Sequence, residues 1–311
     1  MTILRCIARR PAASPFRAAA SAASVCDPQS SDAMATRTPS FARSLHRVTS
    51  LARHDELDAN GVPGLFSQKG FQIAFSEKQA HLINDLNNET QGTQLQGADS
   101  VQSVAIETAR DPMRAHIFNL ASMAFNNNFF FRGINSNPDV DATPPSDLLN
   151  SIKTDFGSMD TLRETFLATA SAMFGPGFVW LVQIKTNEAN AGSLRILPTY
   201  LAGSPLSGAH YRRQSHDLNT HNAESHAELN KPGSFGAAHN KAPKKPLGGT
   251  DIVPLLCVNT WEHVWLHDYG VAGKDAYLRA WWKKIDWNHV AQSGSFDTRR
   301  ATKQSEGNFM Y

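Results

Sequence analysis

The stretch TDFGSMDTLRETFLATASAMFGPGFVWLV, residues Thr154–Val182, decides the fold because its pattern changes midway. Met159–Phe174 reads as a helix opened by Asp160, with Glu164 close behind; acids there suit the positive end of a helix dipole. From Gly177 the chain turns to branched and aromatic residues, which gives a strand over Gly177–Lys185. Working outward, Asp147–Phe156 reads as a preceding helix. Ser193–Tyr200 is a second strand across the turn Asn187–Gly192, Ile252–Val258 is a third, and Lys274–Trp287 is a closing amphipathic helix. Helices, a small three-stranded antiparallel sheet and further helices make an α+β domain over residues 139–290.

Upstream, apolar positions Phe71, Ile73, Phe75, Leu82, Ile83 and Leu86 place a helix over Lys69–Thr90. The polar stretch Gln91–Gln102 leads to a second helix over Val104–Phe131, so residues 53–138 read as an antiparallel helical hairpin. Residues 291–311 form a polar tail.

The chain has 311 residues, 41% hydrophobic and 19% charged, enough for one or two domains with a buried core. No apolar run approaches the roughly 18 residues of a membrane helix. Cys6, Cys26 and Cys257 cannot form a disulfide framework, and no CxxC pair suggests a zinc ribbon. Residues 1–53 hold eight arginines and two acids, whereas 54–311 hold 22 basic and 26 acidic side chains. Residues 1–26 contain no acid and mix Arg with Ala, Ser and small apolar residues. That is the composition of a mitochondrial transit peptide within a leader, residues 1–52, and it implies residence in the mitochondrial matrix.

Residues 203–249 form a polar insertion too long for an ordinary connection. Its histidines, His210, His216, His221, His226 and His239, match no metal-ligand spacing. It carries six basic residues against three acidic ones on an acidic body, so Arg212, Arg213, Lys244 and Lys245 are candidate RNA-phosphate contacts. Arg299 and Arg300 in the tail are a further basic pair.

Thr154–Val182, the segment VNTWEHVWLHDYGVAGKDAYLRAWWKKIDWNHV (Val258–Val290), FNLASMAFNNNFFF (Phe118–Phe131) and, more weakly, HLINDLN (His81–Asn87) together resemble the iron/manganese superoxide dismutase family. The resemblance spans roughly residues 45–200 and 251–290. It implies the family's fold, an α-helical hairpin followed by an α/β domain with a three-stranded antiparallel sheet.

The family's chemistry uses one metal held by three histidines and an aspartate. Carried across, the first histidine falls at Ala74, the second at Asn127, the aspartate at Asn259, and only His263 is kept. The gating tyrosine becomes Leu82, the pocket tryptophan Phe131, and Met123 stands where iron-type members carry glutamine. Two carboxamides and one imidazole lack the anionic and nitrogen donors that a weakly binding first-row ion requires. No cofactor, bound metal or catalytic residue is therefore expected.

Glu262 and His263 survive. The family's glutamate reaches across a dimer to the partner's ligand histidine, so the pair is expected at a subunit interface. The group Trp261, Trp265, Trp281, Trp282 and Trp287 is expected to pack core and interface. Degenerate members with such a leader resemble the dismutase-like proteins of the fungal mitochondrial ribosome's small subunit. The resemblance implies a non-enzymatic structural role, with a paralogous chain or a second copy as partner, other small-subunit proteins as neighbours and limited rRNA contact. The competing expectation, a mitochondrial dismutase with unusual ligands, needs a nitrogen donor such as His81 to replace the one missing at Ala74.

Overall fold

A computed structural model describes residues 45–109, 111–135, 143–185, 192–210 and 251–296. Residues 1–44 of the leader, residues 211–249 of the insertion with Arg212, Arg213, Lys244 and Lys245, and the tail beyond residue 296 lie outside the described residues. The end of the leader lies within them, with Leu51 buried and the backbone of His46 bonded to the Asn87 side chain.

Helix α1 (His54–Asn60) precedes a continuous helical run. Ser67 caps its start by accepting from the Gly70 N–H, and the run comprises α2 (Gln68–Phe71), a π turn (Gln72–Glu77) and α3 (Lys78–Thr90). The expected helix over Lys69–Thr90 is thus present, with one irregular turn around Ala74. The expected single helix over Val104–Phe131 is two. Helix α4 (Val101–Thr108) starts in a Ser100–Ser103 capping box, and Asp111 caps a 3-10 turn at Pro112–Arg114 that leads into α5 (Ala115–Arg132). Proline has no N–H to continue the ladder and pushes its predecessor out of the helical region, so the chain breaks there. Leu86, Leu95, Val104, Ala105, Ile117 and Ala121 form a small core joining α3, α4 and α5.

The α+β part follows the expected order: α6 (Ser146–Phe156), α7 (Met159–Ala172), β1 (Gly177–Lys185), β2 (Leu194–Tyr200), a short turn α8 (Ser207–His210) and β3 (Asp251–Asn259). Ser158 caps α7 by accepting from the Thr161 N–H. The sheet is antiparallel in the order β2-β1-β3, with Trp180 of β1 opposite Leu197 and Cys257. Phe178 to Val182 on the central strand are all buried, as expected of a strand covered on both faces.

After β3 come α9 (Glu262–Tyr269), α10 (Lys274–Trp282) and α11 (Trp287–Ser293). The helix expected over Lys274–Trp287 therefore ends five residues early. Ile285 leaves the helical path to bridge Ile134, and Asp286 restarts a helix by accepting from the N–H groups of Asn288 and His289. Trp265, Trp281 and Trp287 are buried, and the Trp281 ring stacks on Phe166 at 5.5 Å. These three tryptophans pack the core, as the sequence suggests.

Asp268 joins the two halves. Its carboxylate accepts from the Ser67 backbone N–H (2.9 Å) and hydroxyl (2.5 Å), so α9 is clasped to the start of the first helical run.

Candidate functional site

Three of the four positions inherited from the dismutase resemblance meet in the interior. Asn127 sits on α5, Ala74 on the π turn and Asn259 at the end of β3, and all three are fully buried. The Asn127 amide donates to the Ala74 carbonyl and to Gln79 Oε1, each at 3.2 Å. Its own oxygen accepts from Asn259 Nδ2 at 3.2 Å. Asn259 Oδ1 in turn accepts from the Trp261 N–H (2.9 Å), and its backbone carbonyl accepts from the Tyr277 hydroxyl (2.8 Å). Gln79 closes the other end by donating to the Ala124 carbonyl at 2.9 Å.

This is a directional amide relay in which donors and acceptors alternate, and it ties the π turn, α5, β3 and α9 together. Burying such groups is costly unless each is paired, and here each carboxamide is. Burial also pushes the Tyr277 hydroxyl well above its ordinary pKa, so it remains a proton donor to Asn259.

Leu82, Phe131 and Met123 belong to the same buried cluster. The Phe131 ring packs edge-on to Phe71 at 5.5 Å and lies 4.9 Å from Phe75. At these three positions the surroundings are apolar packing.

His263 stands apart from the relay. It lies in the first turn of α9 with its ring 5.7 Å from that of Trp261, and neither His263 Nε2 nor Trp261 Nε1, both shielded from solvent, has a hydrogen-bond partner among the described residues. Burial, with the Lys78 ammonium as a second cause, lowers the His263 pKa to about 4, so the ring is neutral. Glu262 beside it is exposed.

The donors do not fit a manganese or iron ion. Asn127 and Asn259 direct their polar atoms at each other and at backbone, no carboxylate is among them, and Ala74 offers only a methyl group. His81 does not remedy this. Its side chain is 66% exposed and its Nε2 lies 3.4 Å from Asp85 on the outer face of α3. Among the described residues no group of three or more His, Cys, Asp or Glu is placed to hold a metal.

Gln79 is the relay member that the sequence reading missed. Its signal was an amide on the apolar face of the helix, in register with Phe75, Leu82, Ile83 and Leu86, where a neutral polar residue needs a buried partner. Gln79→Leu strands an N–H donor of Asn127 and the Ala124 carbonyl and is expected to cost about 1–3 kcal/mol of unfolding free energy, read by urea denaturation.

Residues 144–213 and 226–293 match the family model of the C-terminal domain of iron/manganese superoxide dismutases. The small ribosomal subunit protein mS43 of Schizosaccharomyces pombe is 28% identical over 265 residues, covering 82% of this chain and 90% of that protein. The small ribosomal subunit protein mS42 of the same organism is 34% identical over 188 residues, 60% of this chain and 69% of that protein. An iron superoxide dismutase of Synechocystis is 24% identical over 234 residues, 75% of this chain and 92% of the enzyme. Agreement that runs through the helical half and the sheet, around a centre whose inherited donor positions hold a methyl group and two amides, places the chain in the iron/manganese superoxide dismutase family, as a degenerate member.

Proposed function

We propose that this chain is a structural component of the small subunit of the mitochondrial ribosome, a dismutase-like protein without dismutase activity that acts through pairing and contacts with neighbouring proteins and rRNA. The amide relay carries this reading. A centre whose polar groups saturate one another has no open position for an ion or for superoxide, so what is kept is shape. The similarity to two small ribosomal subunit proteins supports the ribosomal half of the reading, and the acid-free residues 1–26 of the arginine-rich leader support the mitochondrial address.

Pairing runs through the face around Glu262 and His263, with a paralogous dismutase-like chain or a second copy opposite. Two observations support this. The shielded nitrogens of Trp261 and His263 lack partners among the described residues, and side-chain adjustment on pairing can bring acceptors to them. Phe174 is 97% exposed, and it follows Met173, whose buried sulfur accepts from the Thr260 hydroxyl at 3.9 Å just ahead of α9. A bare aromatic residue is thus available close in the chain to a residue packed against this segment. Arg212, Arg213, Lys244 and Lys245 remain candidates for rRNA contact through the insertion.

Sedimentation of matrix extract in a magnesium-containing gradient tests the proposal. The chain is expected to travel with the small subunit and to move when magnesium is chelated. Migration as a free protein in both conditions, or stoichiometric manganese or iron with superoxide turnover in the purified chain, overturns it.

A further inference from the structure

We propose that the junction of α5, α10 and α11, presenting Arg132, Arg279, Lys283 and Lys284, is a docking surface for an RNA phosphate backbone, separate from the insertion. Taking RNA as the polyanion rests on the ribosomal reading above; the surface itself rests on charge and geometry.

Residues 279–311 carry six basic and three acidic side chains, whereas 54–278 carry 16 basic and 23 acidic. Positive charge is thus concentrated in the stretch of sequence that begins in α10 and holds α11. The tertiary structure adds Arg132 to it. The chain leaving α5 pairs with the chain leaving α10: Ile134 bridges Ile285, the Asn135 N–H donates to the Lys284 carbonyl (2.6 Å), and the Asp286 N–H donates to the Gly133 carbonyl (2.9 Å). This short ladder sets Lys284 opposite Asn135 and so lays the end of α5, which carries Arg132, alongside the end of α10. Arg279 and Lys283 stand four residues apart at the end of α10, on one helical face.

Among the described residues these four charges have no ion-pair partner. Exposed Arg53, Lys69, Arg114 and Arg163 each pair with a nearby carboxylate. Arg132, Arg279, Lys283 and Lys284 form no such pair among the described residues. Asp286, the acid in their midst, turns Oδ1 to the N–H groups of Asn288 and His289, both at 3.1 Å, and makes no ion pair with any of the four. Burial and then the nearby Arg132 charge lower the pKa of His289 on α11, with Asp286 acting against them.

The chemistry selects RNA over a membrane. Among the described residues none of the exposed large apolar side chains belongs to α5, α10 or α11, so the junction offers nothing to insert among acyl chains, whereas guanidinium and ammonium groups alone suffice to replace counterions on a phosphate backbone.

The test is binding of the full chain to a fluorescent RNA hairpin across a salt series. Replacing Arg132, Lys283 and Lys284 together by Gln is expected to weaken binding about tenfold or more and to flatten the salt dependence by about two to three counterions. A control triple, Lys153→Gln, Lys185→Gln and Arg195→Gln, is expected to bind like the parent, with unchanged melting curves for both variants. Unchanged affinity and slope in the patch variant overturns the proposal. So does an equal loss in the control, or a loss seen only with vesicles of anionic phospholipid. Co-sedimentation with the small subunit without any patch effect removes this surface and leaves the ribosomal reading standing. Patch-dependent RNA binding by a chain that never co-sediments supports the surface and removes that reading.

Discussion

Asn259→Asp, which restores the carboxylate of the family's pattern, is expected to destabilise this protein by about 3–5 kcal/mol at neutral pH, the scale of a buried charge with no partner. Asn259 Nδ2 donates to Asn127 Oδ1; an aspartate oxygen there sets two acceptors against each other. Turning the Asn127 amide to repair that contact breaks its bonds to the Ala74 carbonyl and Gln79 Oε1. In a metal site the cation answers the carboxylate, but here the facing groups are neutral.

The pH dependence follows. The introduced carboxyl prefers to stay protonated in the fold, so its folded pKa lies above the ordinary value of about 4. Below that ordinary value both folded and unfolded chains hold the proton, and the protonated acid can donate to Asn127 as the amide did. The penalty then grows as pH rises from there through the raised folded value. Urea unfolding of variant and parent, compared at each pH, reads this directly. A difference that is absent, or equal at pH 4 and pH 7, shows that the relay is not a saturated neutral network.

The second large effect concerns His263. Its pKa falls from 6.5 to about 4 in the single chain. Above pH 6.5 the ring is neutral in both folded and unfolded chains, and the stability linked to it is fully present. As pH drops from 6.5 towards 4, the unfolded chain takes a proton that the fold refuses, which removes about 2–3 kcal/mol before the loss levels off. His263→Leu is expected to flatten that part of the stability curve, leaving the smaller contribution of His289, which is shifted in the same direction. An NMR titration of the His263 ring in the unpaired chain checks the assignment. A midpoint near 6.5 refutes it. A carboxylate donated by a partner, such as the partner's Glu262, would favour the protonated ring, so pairing is expected to move the midpoint upward.

Much of this could be read along the chain. The strand over Gly177–Lys185 and the helix before it follow from local periodicity and from acids at the helix start, which need no distant partner; the Ser158 cap came only with the structure. Ala74, Asn127 and Asn259 were legible as lost donors, because a methyl or a carboxamide declares its chemistry wherever it sits. Two helix breaks were misplaced for different reasons. The one at Pro112 had a local signal in the proline itself. The one after Trp282 had none, since Ile285 leaves the helix for a bridge to Ile134.

Sequence by itself thus determined the order of elements, the family pattern and the absence of strong ligands, since these depend on residue type and short-range spacing. Tertiary structure decided what the replaced residues do. Asn127 reaches Ala74 across 53 positions and Asn259 across 132, and Arg132 gathers with Lys283 and Lys284 only because two helix ends pair. Hydrogen bonds and charge clusters act over a few ångströms of space, and only packing sets which distant residues come that close.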